Sequence, residues 1–236
     1  MNDEPSRGFG IEHTQTVAKE ADPAAHSYRG SMFAHAVDLA NAFTLAGLLC
    51  AVLGIYFAAR GVFSAAVIGL LWAIFFDWFD GPIARRTKGR TDELRALGGQ
   101  LDSLVDMVTC GIGPAVLLLS VGEFGAWFVP GAFALLAAAA LRLSYFNVFG
   151  LEDGSTYLGL PLDHNVIFLA LLFLLEGQME RTTFAMVIYA AMMILAVLNL
   201  MPFRMPKAGG RWYYVFSVFV VSLTAVYGWR LWVGVT

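Results

Sequence analysis

The sequence has 236 residues and a formal net charge of −3, and 58% of its residues are hydrophobic. A mean hydropathy of +0.68 with 14% charged residues excludes an ordinary soluble globular domain. The apolar residues come in blocks of about 20, the length that crosses a bilayer as a helix. This pattern predicts an all-α, polytopic integral membrane helix bundle, with about six core spans and one additional C-terminal span. The candidate spans are residues 43–60, 62–79, 103–121, 126–147, 161–176, 183–201 and 213–234.

The segment before the first span is polar at its start. Residues 1–30 contain proline, serine, histidine and both signs of charge, but no apolar core, so we expect a disordered cytoplasmic tail and no signal peptide. Apolar residues then recur at helical spacing in residues 31–42, which indicates an interfacial amphipathic helix along the membrane surface. The transmembrane domain would occupy residues 43–236.

The basic residues indicate an orientation, because short cytoplasmic loops carry the excess of Lys and Arg. With the N-terminus inside, most basic loop residues fall on the cytoplasmic side of the cell membrane. They are Arg85, Arg86, Lys88, Arg90, Arg95, Arg204, Lys207 and Arg211 inside, and Arg60, Arg181 and Arg230 outside. No feature of this distribution predicts a nucleic-acid partner.

Four aspartates lie at the edges of the second and third spans. Asp77 and Asp80 are three residues apart, and Asp102 and Asp106 are four apart, so each pair shares one helix face. If the two spans are antiparallel neighbours, the pairs meet near the cytoplasmic interface. Burying four unpaired aspartates would cost about 10 kcal/mol on insertion scales. Arginines or cations must offset this cost, and four carboxylates favour a hard divalent ion.

The residues that follow Asp80 add a ligand preference. Gly81 and Ala84 lie on the aspartate-bearing side, where a minimal side chain leaves room for a ligand near the backbone. Arg85 follows directly and can clamp a phosphate oxygen. Carboxylates, a small-residue gap and an arginine together suggest a metal-bridged pyrophosphate.

These residues resemble the signature of the CDP-alcohol phosphotransferase family. The matching series is Asp77-x-x-Asp80-Gly81-x-x-Ala84-Arg85, then Gly98-x-x-x-Asp102-x-x-x-Asp106. Segments such as "LDSLVDMVTCGIGPAVLL" and "YLGLP" are most similar to the CDP-diacylglycerol–serine O-phosphatidyltransferase branch. One departure is the spacer of twelve residues between Arg85 and Gly98, which is longer than usual and would form a longer loop or an added helical turn. Another departure, "GLPLDHNVIF", leaves the acceptor alcohol open.

The resemblance implies a role for each signature residue. Asp77, Asp80 and Asp102 would be metal ligands, and Asp106 would be both a metal ligand and the base that deprotonates the acceptor. Two divalent ions, Mg²⁺ or Mn²⁺, are implied. The CDP moiety would contact Asp77, Gly81, Ala84 and Arg85. The alternative is that the aspartates cap helices or pair with loop arginines, and that the remaining residues serve packing and topology.

Four further residues are candidates for binding the acceptor or a phosphate. Arg142 lies deep in the fourth span, and an intramembrane arginine must be paired or line a polar cavity. It would hold the donor phosphate or an acceptor carboxylate, or else form a structural ion pair with an aspartate. Asn147 lies about one turn away. Asp163 and His164 begin the fifth span, either at a solvated loop end or in an acceptor pocket.

The resemblance implies an enzyme that transfers a phosphatidyl group from CDP-diacylglycerol to a small alcohol, first L-serine, and releases CMP in phospholipid biosynthesis. Inositol phosphate, glycerol phosphate or another alcohol is the alternative acceptor. A cation transporter is an alternative of a different class, although its polar groups would extend through the whole membrane. A non-catalytic lipid-binding scaffold would not need all four aspartates. Membrane lipids are expected neighbours, and the family implies a homodimer.

Overall fold

The computed structural model describes residues 38–150, 156–206 and 210–234, and most of them are helical. The helices are α1 Leu39–Ala59, α2 Phe63–Arg86, α3 Asp92–Asp106, α4 Gly113–Val121, α5 Val129–Phe149, α6 Asp163–Leu172, α7 Arg181–Leu200 and α8 Trp212–Val233. A π-helical turn, Met107–Ile112, joins α3 to α4, and single 3₁₀ turns, Ala126–Phe128 and Phe173–Leu175, flank α5 and α6. Two short strands, β1 Thr156–Leu158 and β2 Arg204–Pro206, complete the described fold.

Six of the described helical segments are long and apolar enough to cross a membrane, which confirms the predicted all-α membrane bundle. They are Leu39–Ala59, Phe63–Arg86, Asp92–Val121, Ala126–Phe149, Arg181–Leu200 and Trp212–Val233. The predicted fifth span is different, because the apolar helix there covers only Asp163–Leu175. A helix of that length rises about 20 Å, less than the hydrocarbon core of about 30 Å.

The first two spans form a tight antiparallel pair. Gly61 adopts a φ of +71°, a conformation that favours glycine, and the chain turns there from α1 into α2. A Cβ atom on Gly69 would lie 2.7 Å from the Cα atom of Gly54, so the backbones cross in direct contact. Small residues permit such an approach between membrane helices. The pairing brings the beginning of α1 beside the end of α2.

The third span begins earlier than the sequence predicted and is interrupted in its middle. Thr91 caps α3, because its Oγ1 accepts a hydrogen bond from the Leu94 amide at 3.3 Å. Asp92 and Glu93 in the first turn also favour a helix N-terminus. The twelve-residue spacer is therefore a short loop followed by added helical turns. The α1 helix likewise begins at Leu39, so residues 39–42 belong to it, while residues 31–37 lie outside the described residues.

The π-helical turn directly follows Asp106. Pro114 has no amide hydrogen to donate to the carbonyl oxygen of Cys110, so a regular α-helical ladder cannot continue through this point. The Asn165 Nδ2 atom lies 3.5 Å from that oxygen, and Asn199 donates to the Asn165 side chain at 3.2 Å. These buried amides link the third span to α6 and α7. Single π turns are frequent at functional sites.

The two strands join connections that are distant in sequence. β1 lies between α5 and α6, β2 lies between α7 and α8, and they pair antiparallel with Tyr157 opposite Met205. The Gly159 amide extends the contact by donating to the carbonyl oxygen of Phe203 at 2.8 Å. This small sheet lies at the end of the bundle where α2 ends and α3 begins.

Candidate active site

The predicted aspartates of α2 and α3 converge. Asp77, Asp102 and Asp106 each offer one carboxylate oxygen, and the three oxygens lie within 4.8 Å of one another. The three-residue and four-residue spacings predicted shared helix faces, and antiparallel packing of α2 and α3 brings these faces together. The long spacer does not prevent Asp102 from reaching the depth of Asp77. Three like charges in so small a space repel one another strongly.

Asp80 lies beside this group and is not part of the set of three. Its side chain is buried, and its Oδ2 atom accepts a hydrogen bond from the Thr44 hydroxyl at 2.5 Å. Thr44 belongs to α1, so the contact depends on the close pairing of α1 and α2. The fourth signature aspartate therefore faces the neighbouring pocket.

A pocket of about 420 Å³ adjoins the aspartates. Its walls come from the beginning of α1, the end of α2, the connecting loop and the first turns of α3. The lining includes Asp80, Gly81, Ala84, Arg85, Asn41, Thr44, Arg90, Gly98 and Asp102. The Arg85 guanidinium lies over Gly81, with its Nη1 atom 3.5 Å from where a glycine Cβ would be. This volume falls within the usual range for small-molecule sites, about 300–1,000 Å³.

The carboxylate group fits a divalent cation. The available donors are carboxylate oxygens, which hard ions such as Mg²⁺ and Mn²⁺ prefer. Oxygens bound to Mg²⁺ at about 2.1 Å lie at most about 4.2 Å apart. A spread of no more than 4.8 Å therefore needs only small side-chain movements to form a coordination sphere.

Arg142 lies in α5 on the same side of the bundle. Its guanidinium carbon is 5.9 Å from the centre of the Tyr157 ring. Its Nε atom is buried without a hydrogen-bond partner, and among the described residues Arg142 forms no ion pair. The structural ion pair that the sequence left open is therefore not formed. Burial raises the pKa of the Tyr157 hydroxyl, and the charge of Asp163 raises it further.

The other three candidates have local partners. Asn147 accepts a hydrogen bond from the Ser103 hydroxyl at 2.9 Å, which joins α5 to the helix that carries Asp102. Asp163 accepts a hydrogen bond from the Trp78 indole at 2.9 Å, and its other oxygen lies 2.8 Å from the Nδ1 atom of His164. These contacts bring the beginning of α6 against α2.

Asp163 and His164 are largely buried, with side chains 15% and 25% exposed, so they do not form a solvated loop end. Burial alone would raise the pKa of Asp163, but the hydrogen bonds from His164 and Trp78 and the charge of His164 lower it overall. Burial would lower the pKa of His164, but the hydrogen bond and charge of Asp163 raise it overall. The two residues form a polar pair at the edge of the bundle.

Sequence reasoning missed several residues of this region. Thr44 contacts Asp80, Trp78 contacts Asp163, and Arg90 lines the pocket. The polar pair Asn41-x-x-Thr44 at the beginning of an apolar span was a usable signal, because polar groups in a span require partners. The position of Arg90 had no such signal, since a loop arginine is common on the cytoplasmic side.

Comparison with known proteins decides the family. Residues 37–234 match the family described as CDP-alcohol phosphatidyltransferase. The chain belongs to the CDP-alcohol phosphatidyltransferase family. Among similar proteins of this kind, an archaetidylserine synthase from Methanothermobacter thermautotrophicus is 31% identical over 147 residues, 61% of this chain and 62% of that protein.

Two further relatives differ in the alcohol that their names indicate. A CDP-diacylglycerol–serine O-phosphatidyltransferase from Bacillus subtilis is 32% identical over 123 residues, 50% of this chain and 66% of that protein. A phosphatidylcholine synthase from Brucella melitensis is 28% identical over 159 residues, 66% of this chain and 55% of that protein. The chain thus spans less than two thirds of the length of each of these relatives. The predicted membership of the CDP-alcohol phosphatidyltransferase family is confirmed.

Proposed function

We propose that this protein transfers a phosphatidyl group from CDP-diacylglycerol to a small alcohol, with L-serine as the first candidate, and releases CMP. The observation that carries the proposal is the group of three aspartate oxygens beside a nucleotide-sized pocket. The family match supports the reaction class. Serine-transferring relatives support the acceptor.

The reaction forms a phosphoester bond to the acceptor and breaks the phosphoanhydride bond of CDP-diacylglycerol. The acceptor hydroxyl oxygen attacks the phosphorus that carries the diacylglycerol, and the bond from that phosphorus to the bridging oxygen breaks. The bridging oxygen leaves with the electron pair as part of CMP. Asp106 takes the hydroxyl proton, because a carboxylate base turns a weak alcohol nucleophile into a reactive one.

Other residues of the chain bind the donor. Arg85 contacts a phosphate oxygen of CDP, and Gly81 and Ala84 leave room for the cytidine beside α2. Asp77, Asp80, Asp102 and Asp106 would hold divalent ions, two in number and either Mg²⁺ or Mn²⁺. Bound cations would stabilise the negative charge that develops on the pyrophosphate.

Arg142 supports an acceptor that carries a carboxylate. Arg142 has no ion-pair partner among the described residues, so its guanidinium offers a fork of donors that matches a carboxylate. Serine has this group, whereas choline has no carboxylate and carries a positive charge that Arg142 would repel. Asp163 and His164 would lie at the edge of the same acceptor region. This chemistry favours serine over choline.

The location follows from the spans and the basic residues. The protein is an integral membrane protein, and we infer that it lies in the cytoplasmic membrane with its N-terminus inside. Residues 85–95, which include the α2–α3 loop, carry five basic residues, and this supports a cytoplasmic position for the pocket.

The test is CMP release by the purified protein in liposomes. The protein is incubated with CDP-diacylglycerol, Mg²⁺ or Mn²⁺, and serine, choline, inositol phosphate or glycerol phosphate in separate reactions. We expect release that depends on serine. Release with another acceptor alone would correct the acceptor, and no release with any of them, together with cation flux across the liposomes, would favour a transporter.

A further inference from the structure

One buried ion pair lies outside the signature residues. Arg90, in the loop that joins α2 to α3, has its Nη2 atom 2.8 Å from the Oδ2 atom of Asp38, the residue before α1. Their side chains are only 5% and 11% exposed. The same Nη2 atom donates to the Asn41 side chain at 3.1 Å. This contact, the Arg90–Asp38 pair, ties the loop to the beginning of α1.

The first turns of α3 are shaped around the same guanidinium. A Cβ atom on Gly98 would lie 2.8 Å from Arg90 Nη2 and 3.1 Å from Asn41 Oδ1. A side chain at position 98 would require the Arg90 guanidinium and the Asn41 amide to shift, and glycine avoids this. Asn41, Arg90 and Gly98 all line the pocket. Three segments of the pocket wall therefore meet at one side chain.

The desolvation cost of the Arg90–Asp38 pair indicates that the pair serves the pocket and not only the stability of the fold. Taking a charged pair out of water has a desolvation cost that often cancels the attraction between the charges. Within the part of the chain that the structure describes, the Arg90 Nε atom is also buried without a hydrogen-bond partner, which adds to that cost. A neighbouring arginine in α3, Arg95, pairs instead with an exposed aspartate and avoids such a cost.

We propose that Arg90 is a positioning residue for the donor nucleotide. Through Asp38 and Asn41 it holds the α2–α3 loop on α1, and so it sets the distance between the α1 wall and the α3 wall of the pocket. Without this tie the walls separate, and the CDP group loses contacts with one of them. The inference rests on the proposed function for the identity of the ligand.

The test measures binding of CDP alone, in the presence of Mg²⁺, by titration calorimetry on the full-length protein in detergent. Arg90→Met and Asp38→Asn each break the ion pair. We expect Kd for CDP and KM for CDP-diacylglycerol to rise at least tenfold, while kcat changes by less than threefold. Arg90→Lys keeps the charge but loses the planar fork, so its Kd should lie between those of Arg90→Met and the unchanged protein.

A matched control breaks another Arg–carboxylate pair. Arg181 and Glu123 lie 3.0 Å apart at the opposite end of the bundle and are exposed, so Glu123→Gln should leave Kd and KM unchanged. A merely structural role would lower the melting temperature of the variants but leave Kd unchanged, and that result would overturn the inference.

Two further outcomes distinguish failure of the inference about Arg90 from failure of the proposed function. If Arg90→Met does not fold, Asp38→Asn and Arg90→Lys decide, and normal CDP affinity in both would overturn the inference. An unchanged protein that neither binds CDP nor releases CMP would overturn the proposed function and this inference with it.

Discussion

At the scale of single residues, the carboxylates of the site have different surroundings. Asp80 is buried against the Thr44 hydroxyl, whereas Asp77, Asp102 and Asp106 direct oxygens at one another. Such a set of three is tolerable when a cation lies between the oxygens. The arrangement therefore places Asp80 on the pocket wall, beside three carboxylates that lie close enough together to share one cation.

Asp106→Asn should abolish phosphatidyl transfer but leave CDP binding nearly unchanged. The amide keeps the shape of the side chain but cannot accept the acceptor proton, so kcat should fall by at least about 100-fold. CMP release gives the rate, and CDP titration gives Kd. We expect Kd to change by less than about threefold, which is no more than the effect of one lost contact. Normal turnover in this variant would contradict the role of Asp106 as base.

Arg142→Gln should affect the acceptor and not the donor. Loss of a charge-assisted contact with a carboxylate is worth about 1.5–3 kcal/mol, so KM for serine should rise at least about tenfold. KM for CDP-diacylglycerol serves as the internal control and should stay nearly constant. An equal rise in both values would place Arg142 at the donor phosphate instead.

The sequence was informative about residues whose chemistry is unusual for a membrane. Aspartates at span edges could be predicted to meet because their helical spacing and the span order are both readable. Arg90 could not be singled out, because its importance depends on packing against Asp38 and Gly98, which are distant in sequence. That Arg142 forms no ion pair with another described residue is likewise a property of the fold.

At the scale of elements, the apolar blocks predicted the long helices but not their irregularities. The π-helical turn depends on Pro114 together with an amide that arrives from α6. The early beginning of α3 depends on a cap at Thr91 within a polar stretch that hydropathy alone does not assign to a helix. The short α6 helix shows that an apolar run can be part of the bundle without the length of a full span.

Gly69→Ala should destabilise the α1–α2 pair. The new methyl group would meet the Gly54 backbone at 2.7 Å, and overpacking of this kind costs about 1–3 kcal/mol. Thermal unfolding in detergent measures the change. Gly228→Ala is the matched control, because a Cβ atom there has no neighbour within 4 Å among the described residues; it should be neutral or stabilising by up to about 1 kcal/mol. Equal melting temperatures for both variants would contradict direct backbone contact.

At the scale of the whole molecule, α1, α2 and α3 form the pocket and α5 and α6 bring the acceptor candidates to the same end. The family match covers residues 37–234, so it extends over all of these helices. Binding of a nucleotide and cations would therefore connect several spans. Stability of the whole bundle should respond to both ligands.

Removal of divalent ions should abolish activity and lower stability. After treatment with EDTA we expect no CMP release, and recovery when Mg²⁺ or Mn²⁺ is added. CDP with Mg²⁺ at about 100 times Kd should stabilise the fold by about 2.7 kcal/mol, which raises the melting temperature by several degrees. The Asp102→Asn variant should show a smaller rise in melting temperature when CDP and Mg²⁺ are added. Full activity in EDTA would contradict a metal-dependent reaction.

The pairing of β1 with β2 affects which side chains near Arg142 can change without loss of the fold. Its cohesion comes from main-chain hydrogen bonds, which do not depend on side-chain identity; proline alone lacks the amide hydrogen, and Pro206 stands opposite Thr156 at the end of the register. Outward-facing positions of β1 and β2 can therefore vary, while the backbone pairing still joins the two connections. The fold can thus exchange side chains near Arg142 without losing the support that carries Tyr157.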